Sequence, residues 1–225
     1  KTEFLQRMSH DIRTPINGIC GMIDVADHHA DDIEKQTECR AKIKEASHLL
    51  LELVNEVLDM SKLEADEMVL EETPFNLSSI AKEVFAVIEQ IAAEQNIRIM
   101  WEKKEVTHRN LIGSPAYVKR VMMNILSNAV KYNKENGCIY ISCREIISEQ
   151  PEMTTMEFVC RDTGIGMTDA FQKHIFEPFA QEHIGSRTKF TGTGLGMPIS
   201  KKLVEKMGGT ITFNSKEGAG TTFLI

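Results

Sequence analysis

The first 63 residues carry an apolar pattern that is typical of two long amphipathic helices. Apolar side chains recur at steps of three and four, at Phe4, Leu5, Met8, Ile12, Ile16, Ile19, Met22, Ile23 and Ala26. Such steps place them on one stripe of a helix. After a polar break at 27–32, a heptad seam follows at Ile43, Ala46, Leu50, Leu53, Val57 and Met60. An Asp of the break is suited to cap the second helix.

Two amphipathic helices joined by a short loop form an antiparallel hairpin. A hairpin on its own leaves its apolar stripe half covered, and pairing of two hairpins into a four-helix bundle covers it. We therefore predict a homodimer that assembles through residues 1–67.

The pattern changes after Glu64, where strand and helix signals are mixed. The predicted strands cover 68–70, 97–102, 139–147, 155–161, 210–214 and 221–225. The predicted helices cover 77–95, 115–132 and 194–207. Ser114 and Pro115 open the second of them, and the Ser114 side chain is expected to cap it. The expected fold class is therefore α+β, with a helical hairpin forming a dimeric four-helix bundle at 1–67 and an α/β sandwich with a mixed sheet at 68–225.

Composition restricts the classes of function. The chain has 225 residues and a net charge of −7 without a basic stripe, which argues against nucleic-acid binding. No apolar run approaches the roughly 20 residues that span a bilayer. The five cysteines form no CxxC pair, which argues against zinc and favours free thiols. Because the chain starts at Lys1 inside a helical pattern, we expect it to be a portion of a longer protein. Free thiols fit a reducing compartment, so the expected location of this portion is the cytoplasm, and whether the full-length protein is anchored in a membrane stays open.

Three polar residues of the helix predicted at 115–132 share one face. Asn124, Asn128 and Lys131 stand at i, i+4 and i+7. Mg²⁺ prefers oxygen ligands and is commonly held by one or two protein groups plus substrate phosphates, which suits the amide oxygen of Asn128. Lys131 can meet phosphate charge one turn away. The spacing leaves open that this is merely a polar face in solvent.

An acidic residue and two glycines follow the strand predicted at 155–161. The Asp162 carboxylate can accept a hydrogen bond from the exocyclic amine of adenine, whereas guanine offers a carbonyl oxygen there and is repelled. Gly164 and Gly166 allow the backbone to approach the ring closely. An ordinary Asp-Gly turn between two elements is the alternative.

A second glycine-rich stretch, with Gly192, Gly194 and Gly196, opens the helix predicted at 194–207. Backbone N–H groups and the helix dipole at such a start favour anionic phosphates. The spacing matches neither the dinucleotide motif nor the Walker motif, so the stretch carries little information alone. Combined with the asparagine face and with Asp162, it predicts a nucleotide pocket.

One histidine has the surroundings of a phosphoryl acceptor. His10 adjoins Asp11, which could orient the imidazole or take its proton and leave a nitrogen lone pair to attack phosphorus. Pro15 lies inside the predicted helix and clashes with the carbonyl of Asp11, which predicts a bend one turn from the acceptor. A nucleotide pocket together with such a histidine suggests phosphoryl transfer from ATP. The alternative is an exposed surface histidine.

These strings resemble, in order and spacing and over essentially the whole chain, the motifs of sensor histidine kinases of two-component systems. Residues 9–15 (Ser-His-Asp-Ile-Arg-Thr-Pro) resemble the phosphoacceptor box of that family, and residues 124–131 its asparagine box. Residues 162–166 resemble the first glycine box of the family, and residues 176–179 its phenylalanine box. Residues 192–196 resemble the second glycine box, and residues 218–221 the terminal glycine motif.

The resemblance implies a dimerisation and histidine-phosphotransfer domain at 1–67 and, at 68–225, an ATP-binding domain of the Bergerat type with a flexible lid in the polar segment 176–193. It implies ATP and Mg²⁺ as cofactors and the receiver domain of a response regulator as partner, beside the homodimer. Neither nucleic acid nor contact of this fragment with a membrane is expected.

By resemblance, His10 is the phosphoacceptor and Asp11 its base. Thr14 matches the position that orients water for dephosphorylation of the partner regulator. The alternative for Thr14 is a hydrogen bond back to a helix carbonyl beside the Pro15 bend.

The resemblance also implies the roles of the pocket residues. Asn128 holds Mg²⁺ with Asn124 alongside, Lys131 contacts phosphate, Tyr132 borders the nucleotide and Asp162 reads adenine. Phe176 and Phe179 anchor the lid, and Arg187 reaches the γ-phosphate. The remaining nucleotide-binding positions are Gly164, Gly166, Gly192, Gly194, Leu195, Gly196 and Thr221.

Two other classes of function share this pocket. An ATP-hydrolysing chaperone or topoisomerase of the same fold carries a glutamate where Asn124 stands, and it would leave the histidine string unexplained. A nucleotide-binding pseudokinase scaffold would not need an intact His10, Asn128 and Asp162. Incubation with γ-labelled ATP distinguishes the three, by labelled protein, free phosphate or neither.

Overall fold

The computed structural model of the chain describes residues 2–65, 67–146, 152–182 and 193–225. The chain divides into two compact units. One consists of Lys1–Met68 with Thr193–Leu195, and the other of Val69–Gly192 with Gly196–Ile225. No helix within the described residues is both long enough and apolar enough to cross a bilayer.

The first unit contains a hairpin of two long helices, α1 (Thr2–His28) and α2 (Ile33–Glu64). Its turn is closed by side-chain bonds. Asp32 caps α2 by accepting a hydrogen bond from the backbone N–H of Lys35 at 2.9 Å, so the predicted aspartate cap is confirmed. Gln36 Nε2 donates to the carbonyl oxygens of Ala26 (2.5 Å) and His29 (3.2 Å), which holds the first turn of α2 against the end of α1.

Apolar residues of the hairpin fall into two sets. The seam between the helices is buried at Cys39, Leu53, Met60 and Leu63 and half-buried at Ile43, Ala46, Leu50 and Val57. A second set is exposed, with exposed fractions of 41% at Ile16, 45% at Ile23, 60% at Leu51, 38% at Val54 and 52% at Leu58. Leu51, Val54 and Leu58 follow the steps of three and four of a helical stripe, which the sequence analysis did not identify.

In the part of the second unit that the structure describes, two sheets combine with three longer helices and one short one. Its strands are β1 (Thr73–Asn76), β2 (Arg98–Glu105), β3 (Asn110–Gly113), β4 (Cys138–Ile146), β5 (Thr155–Asp162), β6 (Thr212–Lys216) and β7 (Gly220–Leu224). Its helices are α3 (Leu77–Glu94), α4 (Pro115–Lys131), the four-residue α5 (Asp169–Gln172) and α6 (Gly196–Lys206).

Among the described residues, the large sheet has five strands in the order β2-β4-β5-β7-β6, of which only the β2–β4 pair is parallel. The mixed sheet is therefore confirmed. Alternate residues of its central strands face the core, and in β4 Ile139 and Ile141 are fully buried whereas Tyr140 between them and Ser142 after them are half-buried. Helices α3 and α6 both pack against α4, and the largest of their fully buried side chains are Val84, Ile88, Ile125, Leu126, Val130, Ile199 and Leu203.

Two local predictions were wrong. Residues 68–70 are not a strand, and the strand of that region is β1, which pairs antiparallel with the unpredicted β3 through Thr73 and Gly113. The Ser114 side chain does not cap α4, because its hydroxyl donates to the carbonyl oxygen of Glu71 at 2.8 Å. Both errors have the same cause, because β1 and the Ser114 side chain each find a partner some forty residues away along the chain.

A carboxylate on β4 fastens two loops to the large sheet. Glu145 Oε2 accepts hydrogen bonds from the backbone N–H groups of Thr107 and His108, both at 2.9 Å. Its Oε1 accepts from the Thr154 hydroxyl at 2.9 Å and from Nδ1 of His108 at 2.6 Å. These bonds, led by that of the His108 ring, lower the pKa of Glu145 from its ordinary 4.5 to about 2.

Glu145→Gln should lower the urea midpoint of the second unit at pH 7, because a neutral amide accepts these hydrogen bonds less well. A carboxylate with a lowered folded pKa stabilises the fold above its ordinary 4.5, and this stabilisation is lost as pH falls toward 2. The difference between wild type and variant should therefore shrink from pH 5 to pH 3.

The single tryptophan, Trp101 on β2, reports the unfolding of this unit by fluorescence. The exposed Glu135 provides the control Glu135→Gln, whose midpoint should follow wild type. A difference that does not change with pH would contradict the assigned role.

Candidate functional site

Asp162, the last residue of β5, is a carboxylate in the core of the second unit. It is 8% exposed. Its Oδ1 accepts hydrogen bonds from the backbone N–H of Gly164 at 2.8 Å and of Thr221, on β7, at 3.2 Å. Both bonds end on the same oxygen, so Oδ2 is the oxygen left to accept a hydrogen bond from a ligand.

The surroundings of this carboxylate are poorly solvated. Burial raises the pKa of Asp162 above its ordinary value, and the bonds from Gly164 and Thr221 act in the opposite direction. The neighbouring Cys160 thiol is 1% exposed, and burial, followed by the charge of Asp162, raises its pKa as well. A hydrogen bond to a carboxylate in such a place is strengthened, because water competes weakly.

The loop after Asp162 passes so close to other backbone that two of its residues must be glycine. A Cβ at Gly164 would collide with the carbonyl oxygen of Tyr132, to which the N–H of Ile165 donates at 3.0 Å. Gly166 has a φ of +66°, and a Cβ there would collide with the carbonyl group of Lys216. The predicted close approach therefore brings this loop against the end of α4 and the end of β6.

Asn133 and Thr163 hold the same loop, and the sequence analysis missed both. The buried Asn133 side chain donates to the Cys138 carbonyl at 3.2 Å, and its Oδ1 accepts from the Lys134 N–H at 3.0 Å and the Thr163 hydroxyl at 3.3 Å. Thr163 Oγ1 also accepts from the N–H of Cys138 at 2.9 Å. The only local signal was a polar residue directly after the apolar face of α4.

The asparagines of α4 form a chain of hydrogen bonds. Asn128 Nδ2 donates to Asn124 Oδ1 at 3.4 Å, as their spacing on one helical face requires. Asn124 Nδ2 donates in turn to the hydroxyl of Ser200 on α6 at 2.8 Å. One turn further along α4, Lys131 Nζ lies 4.8 Å from the ring centroid of Tyr132. The structure thus brings Asn124 and Asn128 together and adds Ser200, which the sequence analysis did not select.

The second glycine-rich stretch leads into α6. Gly194 has a φ of +71°, and Leu195 is buried with its N–H bonded to Thr193 Oγ1 at 3.0 Å. Gly196 begins α6, and a Cβ there would collide with the amide of Asn124. Gly192 and Arg187, to which the sequence analysis assigned nucleotide contacts, lie outside the described residues, as does most of the predicted lid.

The two phenylalanines before this stretch are packed in place. Phe176 makes an edge-to-face contact with Phe213 of β6, with 5.8 Å between ring centroids, and Lys201 Nζ lies 5.0 Å from its ring centroid. Phe179 is buried and has a φ of +63°. This part of the predicted lid segment is therefore anchored by aromatic contacts to β6 and by burial.

The histidine string lies in the other unit, in the first half of α1. His10, Asp11 and Thr14 are all within this helix, where Asp11 is half-buried and Thr14 exposed. Pro15 is buried inside the same helix. The acceptor string therefore belongs to one compact unit, and Asp162 and the asparagine face of α4 belong to the other.

The described residues contain no cluster of three or more His, Cys, Asp or Glu side chains that could hold a metal ion. A divalent cation at the pocket would depend on amide oxygen and on the phosphates of a ligand. Mg²⁺ is commonly bound in this way, with few protein ligands, so the asparagine pair of α4 fits such an ion.

Two family models together match most of the chain. The model "His Kinase A (phospho-acceptor) domain" matches residues 1–66, and the model "Histidine kinase-, DNA gyrase B-, and HSP90-like ATPase" matches residues 113–225. The chain belongs to the sensor histidine kinases of two-component systems. The motifs that suggested this resemblance lie within the matched ranges of this kinase.

Curated relatives agree with this family. The kinase is 33% identical over its whole length to the sensor histidine kinase GacS of Pseudomonas protegens. It is 34% identical over 99% of its length to the signal transduction histidine-protein kinase BarA of Escherichia coli. It covers 24% of each relative, so the chain spans about a quarter of the length of these curated proteins.

Solved structures also resemble the kinase over nearly its full length. Full-length ShkA in complex with AMPPNP is 27% identical with a TM-score of 0.70, and it matches 99% of this chain and 44% of its own. Histidine kinase ThkA in complex with the response regulator protein TrrA is 26% identical with a TM-score of 0.71, and it matches 99% of this chain and 60% of its own.

The close approach at Gly166 can be tested against a matched glycine. Gly218 also has a positive φ, of +77°, but a Cβ there would meet nothing within 4 Å. Gly218→Ala should therefore cost only the backbone strain of about 1–2 kcal/mol. Gly166→Ala should cost clearly more, because its Cβ must also displace the carbonyl of Lys216. Urea unfolding followed through Trp101 measures both, and equal losses would contradict the steric account.

Proposed function

We propose that this chain transfers the γ-phosphoryl group of ATP to His10 and then passes it to an aspartate in the receiver domain of a response regulator. The observation that carries this proposal is the buried Asp162 carboxylate, which has one oxygen bonded to two backbone N–H groups and the other left to recognise a base. The phospho-acceptor family match over residues 1–66 supports the acceptor half.

Adenine is the base that this carboxylate favours. The exocyclic amine of adenine donates a hydrogen bond to Asp162 Oδ2, whereas guanine would place a carbonyl oxygen against it. Gly164 and Gly166 let the loop after Asp162 pass close to the backbone of Tyr132 and Lys216, and Thr221 fixes the carboxylate through its N–H. The similar ShkA structure is a complex with AMPPNP, which supports an adenine nucleotide as the ligand of this chain.

Asn128 is the proposed protein ligand of Mg²⁺, with Asn124 beside it and Lys131 near the phosphates. When bound, Mg²⁺ neutralises charge on the phosphate oxygens and helps to orient the transferred group. Tyr132 borders the nucleotide, and the second glycine stretch offers backbone N–H groups at the start of α6. Arg187 and Gly192 keep their proposed phosphate contacts, and Phe176 and Phe179 anchor the lid.

The chemical step forms a nitrogen–phosphorus bond and breaks the bond between the γ-phosphorus and the bridging oxygen, so that ADP leaves. The His10 imidazole supplies the electron pair, and the carboxylate of Asp11 takes or orients the ring proton. Transfer to the regulator reverses the roles, as the regulator's aspartate attacks the phosphorus and the imidazole is released.

Residues 1–67 are proposed to form the dimerisation and phosphotransfer domain, and residues 68–225 the catalytic domain. The exposed apolar residues on both helices of the hairpin support a homodimer, because a second hairpin would cover them in a four-helix bundle. In the ThkA–TrrA structure a response regulator is the partner of a histidine kinase. Thr14, exposed one turn after His10, is proposed to orient the water that dephosphorylates the bound regulator.

An ATP-hydrolysing machine of the same fold is disfavoured by the environment of Asn124. Its amide bonds to Ser200 and Asn128 and cannot take a proton from water as a glutamate would. A pseudokinase scaffold is disfavoured because it does not explain why His10, Asn128 and Asp162 are all intact.

The acceptor assignment predicts that His10→Ala abolishes incorporation of label from γ-labelled ATP. Affinity for the nucleotide should stay unchanged, because Asp162 and the asparagine pair of α4 lie in the other unit. The label on wild type should be labile in acid and stable in alkali, as a phosphoramidate is. His29→Ala is the control, since His29 is exposed in the turn after α1, and it should label normally. An acid-stable label, or a labelled His10→Ala protein, would refute the assignment.

The base-reading assignment predicts that Asp162→Asn loses about 1.5–3 kcal/mol of ATP binding, because the amide puts an NH₂ group against the adenine amine. Wild type should prefer ATP strongly over GTP. Because burial raises the pKa of Asp162, wild-type affinity should already fall at a pH above the ordinary aspartate value of 3.8. The proton goes to Oδ2, since Oδ1 is held by two N–H groups.

Calorimetric titration of ATP at several pH values measures these effects, and the Asp162→Asn protein is the control for other titrating groups. Its profile should be flatter than that of wild type in the acidic range. Equal affinity of wild type for ATP and GTP, or an unchanged affinity in Asp162→Asn, would remove Asp162 from this role.

The dimer assignment predicts that Leu51→Glu combined with Leu58→Glu shifts the chain to a monomer in sedimentation equilibrium. Charged side chains on this stripe cannot be buried against a second hairpin without a large desolvation cost. Val87→Glu, at an exposed apolar position of α3 in the other unit, should remain dimeric. A dimer that persists in the double variant would place the interface elsewhere.

A further inference from the structure

Ser200 is a polar residue in the most apolar part of α6. It is 1% exposed and lies next to Ile199, which is 1% exposed, and three residues before Leu203, which is fully buried. A hydroxyl in such a place is costly unless it is hydrogen-bonded. Its partner is the amide of Asn124, which donates to Ser200 Oγ through Nδ2 at 2.8 Å.

Two acceptors on α6 determine which way round the Asn124 amide lies, because its Nδ2 also donates to Met197 Sδ at 3.6 Å and a thioether sulfur can only accept. The two ends of an asparagine amide have nearly the same shape, so its hydrogen-bond partners decide where the oxygen and the nitrogen point. Because Nδ2 of Asn124 is turned to these two acceptors, its Oδ1 is turned to Asn128 and accepts from Asn128 Nδ2 at 3.4 Å. The polarity of the second amide therefore follows from that of the first.

The orientation of the Asn124 amide determines which atom of Asn128 can meet a cation. With its NH₂ group donating to Asn124, its oxygen is the end that remains to meet a cation. An Asn128 amide turned the other way would present N–H groups to the cation and repel it. Oxygen is also the ligand that Mg²⁺ requires.

The packing of α6 leaves the Asn124 amide little freedom to turn. Gly196, one turn before Ser200 on α6, lies so close to that amide that a Cβ there would collide with it. Ser200 thus supplies the nearer acceptor and Met197 the second one, and the bare backbone of Gly196 supplies the space. All three residues are on the helix that follows the second glycine stretch.

We propose that Ser200, with the Met197 thioether as a second and weaker acceptor, is a positioning residue that holds the polarity of the Asn124–Asn128 amide pair and so presents the Asn128 oxygen to nucleotide-bound Mg²⁺. The proposal rests on the proposed function, which assigns Asn128 as the metal ligand. Ser200 acts through Asn124 and has no contact of its own with metal or nucleotide.

The test measures metal affinity rather than turnover. The affinity of the chain for AMPPNP is determined by calorimetry in EDTA and then across a Mg²⁺ titration, for wild type and for Ser200→Ala. Loss of a group that orients a metal ligand commonly costs 10–100-fold in metal affinity. Ser200→Ala should weaken the apparent Mg²⁺ affinity about tenfold, while the metal-free affinity for AMPPNP stays at the wild-type value. Ser200→Cys, which keeps a weak acceptor, should lie between the two.

Ser127→Ala is the matched control. Ser127 Oγ also bonds to Asn124, at 3.1 Å, but to its backbone carbonyl, so its loss leaves the side-chain amide in place. Its Mg²⁺ titration should follow wild type. Asn124→Asp provides a second control, because a carboxylate has no donor end and accepts from Asn128 in either orientation. In that background, Ser200→Ala should have no further effect on the Mg²⁺ titration.

The outcomes separate this proposal from the proposed function. A Ser200→Ala protein with the wild-type Mg²⁺ titration, or one that loses metal-free binding to the same degree, would overturn the positioning role while leaving the kinase assignment intact. If wild type itself does not bind AMPPNP, both proposals fail. If Asn128→Ala keeps the wild-type Mg²⁺ titration, the ligand assignment fails, and this inference fails with it.

Discussion

The candidate site depends on the two hydrogen bonds that the buried carboxylate of Asp162 accepts from backbone N–H groups. An ionised group with 8% exposure needs partners, and two backbone N–H groups from separate parts of the chain supply them. The N–H of Gly164 requires the loop after β5 to turn back sharply, and that of Thr221 requires β7 to lie beside β5. Satisfying this one charge therefore fixes a turn and a strand pairing, and it leaves one oxygen for a base.

The glycines around this carboxylate follow from the same geometry. A Cβ at Gly220, whose φ is +98°, would collide with the carbonyl oxygen of Asp162, just as one at Gly164 would collide with that of Tyr132. The pocket is thus built from backbone that passes at close range, and side chains with defined polarity line it. The amide chain from Ser200 through Asn124 to Asn128 is a second example, in which hydrogen bonds decide which atom a ligand meets.

Much of the architecture could be predicted because it depends on local periodicity. The two hairpin helices and the helices α3, α4 and α6 begin and end within about two residues of the predicted positions. The motif residues of the pocket were also identified, since Asp162 and the asparagine face of α4 carry their chemistry in their spacing. Strands β4 and β5 follow their apolar alternation in the same way.

What could not be predicted depends on contacts between distant parts of the chain. The pairing of β1 with β3 and the bond from Ser114 to Glu71 replace the predicted strand at 68–70 and the predicted cap. Ser200 resembles any polar residue of a helix until Asn124, 76 residues earlier in the chain, is seen to donate to it. Leu51 and Leu58 lie beside the predicted seam, and only their exposure separates the two stripes.

A crystal structure of the chain with AMPPNP and Mg²⁺ tests the central claim most directly. The adenine amine should lie within hydrogen-bond distance, about 3 Å, of Asp162 Oδ2, while Oδ1 keeps its bonds to the N–H groups of Gly164 and Thr221. The oxygen of Asn128 should ligate Mg²⁺ at the phosphates. A nucleotide bound with its base away from Asp162, or a carboxylate that turns out of its two backbone bonds to meet the base, would contradict the account.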